Sequence, residues 1–88
     1  MELPSAFSPN NDGQNDFFKV LGNGIEEVNL VIYNRWGQLV FSSTNKDIGW
    51  DGTYEGDDQE IGVYIWQLKG SLIDGKQINK RGNVTLVR

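Results

Sequence analysis

The chain has 88 residues, enough for one domain and not two, and a domain of this size buries only about 60 to 65% of its unfolded surface. It contains no cysteine and no histidine, which excludes a disulfide, a thiolate nucleophile, a Ser-His-Asp or Cys-His arrangement and the usual zinc and haem ligand sets. A net charge of -4, with eight scattered Lys and Arg residues of which only Lys76, Lys80 and Arg81 sit close together, argues against a nucleic-acid partner and against a polybasic membrane patch.

The start, Met1-Glu2-Leu3-Pro4, offers neither the basic nor the apolar region of a secretory signal peptide. The reading expected from this is a soluble fragment of a larger protein. No apolar run approaches the roughly 20 residues of a transmembrane helix. Val, Ile, Leu and aromatic residues fall in short runs separated by eleven glycines, and no long segment keeps a helical apolar period, so the chain reads as all β.

In chain order, Leu3 to Phe7 and Phe17 to Val20 are expected as short strands. Val28 to Arg35, with Val28, Leu30 and Ile32 at period two, pairs with Gln38 to Ser43 through a turn at Trp36-Gly37. Ser42 to Gly49 and the acidic run Glu55 to Glu60 read as solvated loops around a further short strand, Trp50 to Tyr54. The clearest hairpin joins Gly62–Ile73 to Lys76–Val87 across Asp74-Gly75, a pair suited to a type I′ turn. Tyr64, Trp66, Leu68 and Leu72 share one face of its first arm, and Ile78, Val84 and Leu86 share one face of its second. Gly70 and Gly82 mark a bulge or a close approach of another group in each arm. Six or seven short strands in one small domain predict a two-sheet sandwich, although patterning alone also fits a small barrel.

Four signatures punctuate these strands: Ser8-Pro9-Asn10-Asn11-Asp12-Gly13-Gln14-Asn15-Asp16, then Tyr33-Asn34-Arg35-Trp36-Gly37, then Trp50-Asp51-Gly52, and last Arg81-Gly82-Asn83-Val84-Thr85-Leu86-Val87-Arg88. The first concentrates hard oxygen ligands, and Asn11, Asp12, Asn15 and Asp16 could hold calcium. It lacks the ligand spacing of a helix-loop-helix calcium site. The expected role of Asp12, Asn15 and Asp16 is therefore to close Asx-turns on neighbouring amides, and no metal or cofactor is assigned. Trp36 and Trp50 are each expected to pack into the core beside their glycine turns, with Arg35 stacked over Trp36 or paired with an acid. Trp66 is expected in the core as well. Were Trp36 and Trp50 both exposed on one face, they would form a stacking platform, and the chain would read as a carbohydrate-binding or adhesive module, with or without calcium. The carboxylates of Glu55, Asp57, Asp58 and Glu60 lie on one flexible run and do not suggest a fixed catalytic pair.

Taken together and in this order, the four signatures resemble the gliding motility-associated C-terminal domain, the type B sorting domain of the type IX secretion system of Bacteroidetes. The resemblance spans Leu3 to Arg88. It departs at Asn10-Asn11-Asp12-Gly13, where the family usually has Asn-Gly-Asp-Gly, and at Glu60-Ile61, where a proline or serine often precedes the Gly-Val-Tyr strand. It implies an immunoglobulin-like sandwich of short antiparallel strands that performs no catalysis and serves as a sorting signal. By the same resemblance, the parent protein passes through the periplasm and is delivered to the cell surface or medium. The partners implied are outer-membrane translocon and surface-attachment components, and the domain is expected to act as a monomer. The residues singled out for partner contact are Asn34, Arg35, Trp36, Gly37, Trp50, Asp51, Gly52, Arg81 and Arg88.

Overall fold

The period-two runs of the sequence become strands because each places alternate apolar side chains on one pleated face. The computed structural model describes residues 3–9 and 16–87. Among these, the strands are β1 (Ala6–Phe7), β2 (Ile25–Tyr33), β3 (Leu39–Ser43), β4 (Thr53–Tyr54), β5 (Asp57–Asp58), β6 (Gly62–Leu72) and β7 (Gln77–Leu86), with no helix. The chain is thus all β, as its composition predicts. Five strands form one sheet in the order β1-β7-β6-β2-β3, and β4 and β5 form a second, small sheet. β1 runs parallel to β7, with Phe7 opposite Leu86, while the other neighbours are antiparallel.

The inner face of the large sheet carries Val28, Leu30 and Ile32 of β2, Tyr64 and Leu68 of β6, and Val84 and Leu86 of β7, all buried. A shift in the β2–β3 register after Ile32 admits one extra residue on β3. Val40 is buried and its neighbour Phe41 packs against the same core, as a bulge allows. What covers this face is mostly not regular sheet. Phe18 and Trp50 meet in an isolated bridge, each backbone N–H donating to the other's carbonyl at 2.9 Å. Their rings join Phe7 and Tyr64 in a chain of aromatic contacts, with centroids 5.8 Å apart for Phe7–Phe18, 5.4 Å for Phe7–Trp50 and 4.9 Å for Trp50–Tyr64. The predicted strand at Phe17–Val20 is therefore reduced to a bridge, and Leu3–Phe7 to a two-residue strand.

Gly49 makes that bridge possible. A Cβ there would lie 2.8 Å from Lys19 Cβ and 2.9 Å from the Phe18 carbonyl oxygen, so only glycine lets the two backbones approach. Gly82 serves the same purpose on β7, where a Cβ would stand 2.8 Å from the Trp66 ring. This is the close approach expected at that glycine, and the β6–β7 register runs unbroken through both Gly70 and Gly82. Trp66 is partly buried against the core and its Nε1–H donates to the Asn83 carbonyl at 3.3 Å.

The β6–β7 turn is not the predicted type I′. Gly75 N–H donates to Leu72 O and Leu72 N–H to Lys76 O, both at 2.9 Å. Gly75 has φ 91° while Asp74 has no positive φ. This is a three-residue loop, a turn of type I closed by a left-handed glycine. The run Glu55–Glu60, expected as a loop, instead contains half of a ribbon: Thr53 pairs with Asp58 and Tyr54 with Asp57. Its turn is the type I′, with φ 52° at Glu55 and 87° at Gly56.

Candidate functional site

The register brings the end of β2, the start of β3, the start of β6 and the end of β7 to one end of the sheet, since Tyr33 lies opposite both Leu39 and Ile65 and Gly62 lies opposite Leu86. The β2–β3 turn caps that end. Gly37 N–H donates to Asn34 O at 3.0 Å, Asn34 N–H donates to Gln38 O at 2.9 Å, and Gly37 has φ 84°. Asn34 is buried and its whole side chain is engaged in the turn. Its Oδ1 accepts from Trp36 N–H at 3.0 Å and Gln38 N–H at 2.9 Å, and its Nδ2 donates to Gln38 Oε1 at 3.0 Å. With each such bond contributing about 1 kcal/mol, Asn34 holds the loop in one shape.

That shape determines the fate of the two residues at the tip. Trp36 is 70% exposed, which overturns its expected burial in the core. As the second central residue of the turn it projects beyond the end of the sheet, where no second layer reaches it. Arg35 does stack over it, with Cζ 4.4 Å from the indole centroid.

Trp50 has the opposite fate. Its ring is 1% exposed, packed between Phe7 and Tyr64, and its Nε1–H donates to the Thr53 carbonyl at 2.8 Å. Asp51 closes the turn that supplies this acceptor, its Oδ1 receiving Thr53 N–H at 3.0 Å and Thr53 Oγ1–H at 2.7 Å. Gly52 is buried with φ 84°, and its carbonyl accepts Gln59 N–H at 2.8 Å. Trp50 and Gly52 are therefore unavailable to a partner's surface and shape the site from behind. The stacking platform of two exposed tryptophans is ruled out with them.

Through that Gly52–Gln59 bond the Trp50 turn fixes the strand that leaves the ribbon. Asp58, Gln59 and Glu60 face Asn34, Trp36 and Gln38 across a cleft of about 310 Å³ that Tyr64 also lines. Tyr64 O–H donates to Glu60 O at 2.7 Å, tying β6 to the same wall. A smaller depression is lined by Arg35, Ile61, Gly62 and Val63, and Trp36 borders both. Asn34, Glu60 and Tyr64 also line both, so Arg35 and Glu60 share the smaller depression.

The structure brings together Asn34, Arg35, Trp36 and Gly37, but not the other predicted contact residues. Arg81 is exposed and lies opposite Gln67 on the outer face of the sheet, away from the residues lining the cleft. Arg88 lies outside the described residues, as does Asn10–Asn15 of the first signature, including the calcium candidates Asn11, Asp12 and Asn15. Sequence reasoning missed Gln38, Asp58, Gln59 and Glu60. The signal available for Gln38 was its place four residues after a turn asparagine, within reach of that side chain.

The geometry is that of a small β domain with a rigid aromatic and cationic knob at one end and no helix long and apolar enough to cross a membrane among the described residues. No curated protein matches the chain. The family model of the CHU_C type IX secretion signal domain matches residues 1–86. The chain belongs to that family, and its function is that of a sorting signal, directing the protein that carries it through the type IX secretion system toward the cell surface or medium.

Proposed function

We propose that the secretion machinery recognises the folded domain at the end of the sheet capped by the β2–β3 turn, with Arg35 and Trp36 as the central contact. The observation that carries this reading is the exposure of Trp36 on a turn whose every side-chain constraint comes from the buried Asn34. A large aromatic left in water costs solubility and contributes little to this fold, whereas a preorganised Trp-Arg pair is the residue chemistry of an interface hot spot. Asn34 and Gly37 set the turn and do not touch the partner. Asp51, Arg81 and Arg88 are outlying contacts at most, and Trp50 and Gly52 act through the fold.

On this reading the partners are outer-membrane translocon and surface-attachment components. The domain does no chemistry, acts as a monomer and ends a larger exported protein that reaches the translocon from the periplasm. The test is a periplasmically targeted fluorescent protein fused ahead of residues 2–88 in a gliding Bacteroidetes strain, assayed for surface and medium fractions with and without a working type IX system. Wild-type export depends on that system. Trp36→Ala melts within a few degrees of wild type and leaves the fusion in the periplasm. Export of that variant at the wild-type level would remove Trp36 from the contact.

A further inference from the structure

We propose that the outer face of the large sheet, in its half next to the Trp36 tip, is a second part of the docking surface and takes an apolar patch of the protein partner edged by a carboxylate. This rests on the reading that the partner docks at this end of the sheet, and it specifies the surface that the partner presents.

A sheet packed on one side turns polar residues to water on the other. The half remote from the tip obeys, with Glu27, Asn29, Lys69, Gln77 and Asn79 outward and exposed. The half next to the tip does not. There Leu39, Tyr33 and Ile65 lie side by side across β3, β2 and β6. Val31 stands in the row behind them, between Ser42 and Gln67, and Val63 in the row ahead, beside Thr85. Val63 is 52% exposed, and Leu39 and Ile65 are each 44% exposed. Strand propensity and cross-strand pairing explain such residues one at a time, but they do not gather them on one half of one face.

The patch is continuous with the tip, because Ile61 and Val63 line the depression that Arg35 and Trp36 border. Its size suits the centre of an interface. Four strands about 4.8 Å apart and three rows about 6.7 Å apart make roughly 400 Å², about half of the ~800 Å² that one side of a standard interface buries. Charge indicates the partner. The three rows hold no carboxylate and one cation, Arg81, beside Gln67. Arg35 at the tip already shares its depression with Glu60, so Arg81 is the charge that the partner has to match. A second copy of the chain, presenting the same patch, brings no carboxylate to Arg81. A lipid surface calls for a cluster of about four to eight cations, far more than this face carries. A protein with an apolar patch and an acid at its edge meets both requirements.

The experiment is type IX-dependent export of the residue 2–88 fusion, with Tm recorded on the purified chain. The double variant Val63→Thr, Ile65→Thr keeps β-branched residues in the strand, so it melts within a few degrees of wild type. Its export falls about tenfold, the affinity lost with the missing apolar contact. Leu39→Thr repeats the test on another strand in case the double variant does not fold. Asn79→Ala, on the remote half of the same face, exports normally, and Arg81→Glu lowers export more than Arg81→Gln does. Wild-type export of the double variant and of Leu39→Thr would overturn the proposal, and so would equal export of the two Arg81 variants. The rival occupants are tested by sedimentation equilibrium and by flotation with phosphatidylglycerol vesicles. The chain is expected to be monomeric and to stay off the vesicles. A dimer, or vesicle binding, that the double variant abolishes would overturn the proposal in favour of a second copy or a lipid surface. The export assay also separates this from the reading beneath it. Retention of Trp36→Ala with normal export of the double variant removes the sheet face and keeps the docking end, whereas normal export of both removes the docking end itself.

Discussion

Two hairpin turns, one at each end of the large sheet, have the same backbone and different side chains. Asn34–Gln38 and Leu72–Lys76 both close with a glycine N–H donated three residues back and an N–H of the first residue donated to the fifth residue's carbonyl. Both place glycine at positive φ, 84° at Gly37 and 91° at Gly75. They differ in side chains. At the far end Asp74 makes one exposed bond, accepting Lys76 N–H at 3.0 Å, and the tip presents Ile73, 75% exposed. At the near end a buried asparagine makes three bonds and the tip presents Arg35 on Trp36. Turn geometry alone therefore does not mark a site. The extra fixation under one tip, together with what that tip displays, is what the proposed docking site rests on.

The largest effect that separates the turns is expected at their side-chain anchors. Asn34→Ala removes three partly buried hydrogen bonds and should cost about 2–3 kcal/mol, lowering Tm by roughly 10–20 °C. Asp74→Ala removes one bond open to water and should cost at most about 0.5–1 kcal/mol. Thermal unfolding of the two variants checks the difference, and equal losses would show that Asn34 does not brace the tip.

Next come the glycines, where the turns should behave alike. A Cβ at Gly37 or at Gly75 meets nothing within 4 Å, so Gly37→Ala and Gly75→Ala each pay only the left-handed strain of about 1–2 kcal/mol. A Tm loss at Gly37 well beyond that at Gly75 would reveal a contact under the near turn. The ribbon turn solves the same problem less well, since Glu55 holds φ 52° where Asn or Gly is favoured. Glu55→Asn should raise stability by roughly 0.5–1 kcal/mol, read as a higher Tm.

The near turn was only partly legible in the sequence. Asn34-Arg35-Trp36-Gly37 announced a tight turn, and Gly37 and the β2–β3 pairing follow from it. The exposure of Trp36 did not, because bulk favours burial and nothing in a single sequence says that the second sheet stops short of this tip. Trp50 follows the expectation from bulk because the Phe18 bridge and the Asp51 turn fold it onto the core. The long β6–β7 hairpin was legible from the alternation of Tyr64, Trp66 and Leu68, but its turn type was not, since Asp-Gly serves both the two-residue and the three-residue loop. The ribbon escaped notice because Glu55-Gly56 is a poor type I′ signal and its two strands carry acids that read as solvated chain. The cleft wall of Asp58, Gln59 and Glu60 was lost with it. The parallel pairing of β1 rests on two residues, too few to carry a pattern.

The smallest effect on stability bears most directly on function. Trp36→Ala and Ile73→Ala trim equally exposed tips of equivalent turns, and each should change stability by about 0.5 kcal/mol or less. The decisive measurement is type IX-dependent export of the two fusions side by side, with Tm recorded for both. The account predicts near wild-type melting for each, normal export of Ile73→Ala and periplasmic retention of Trp36→Ala. Equal export of the two would contradict it and leave the Trp36 tip as ordinary surface.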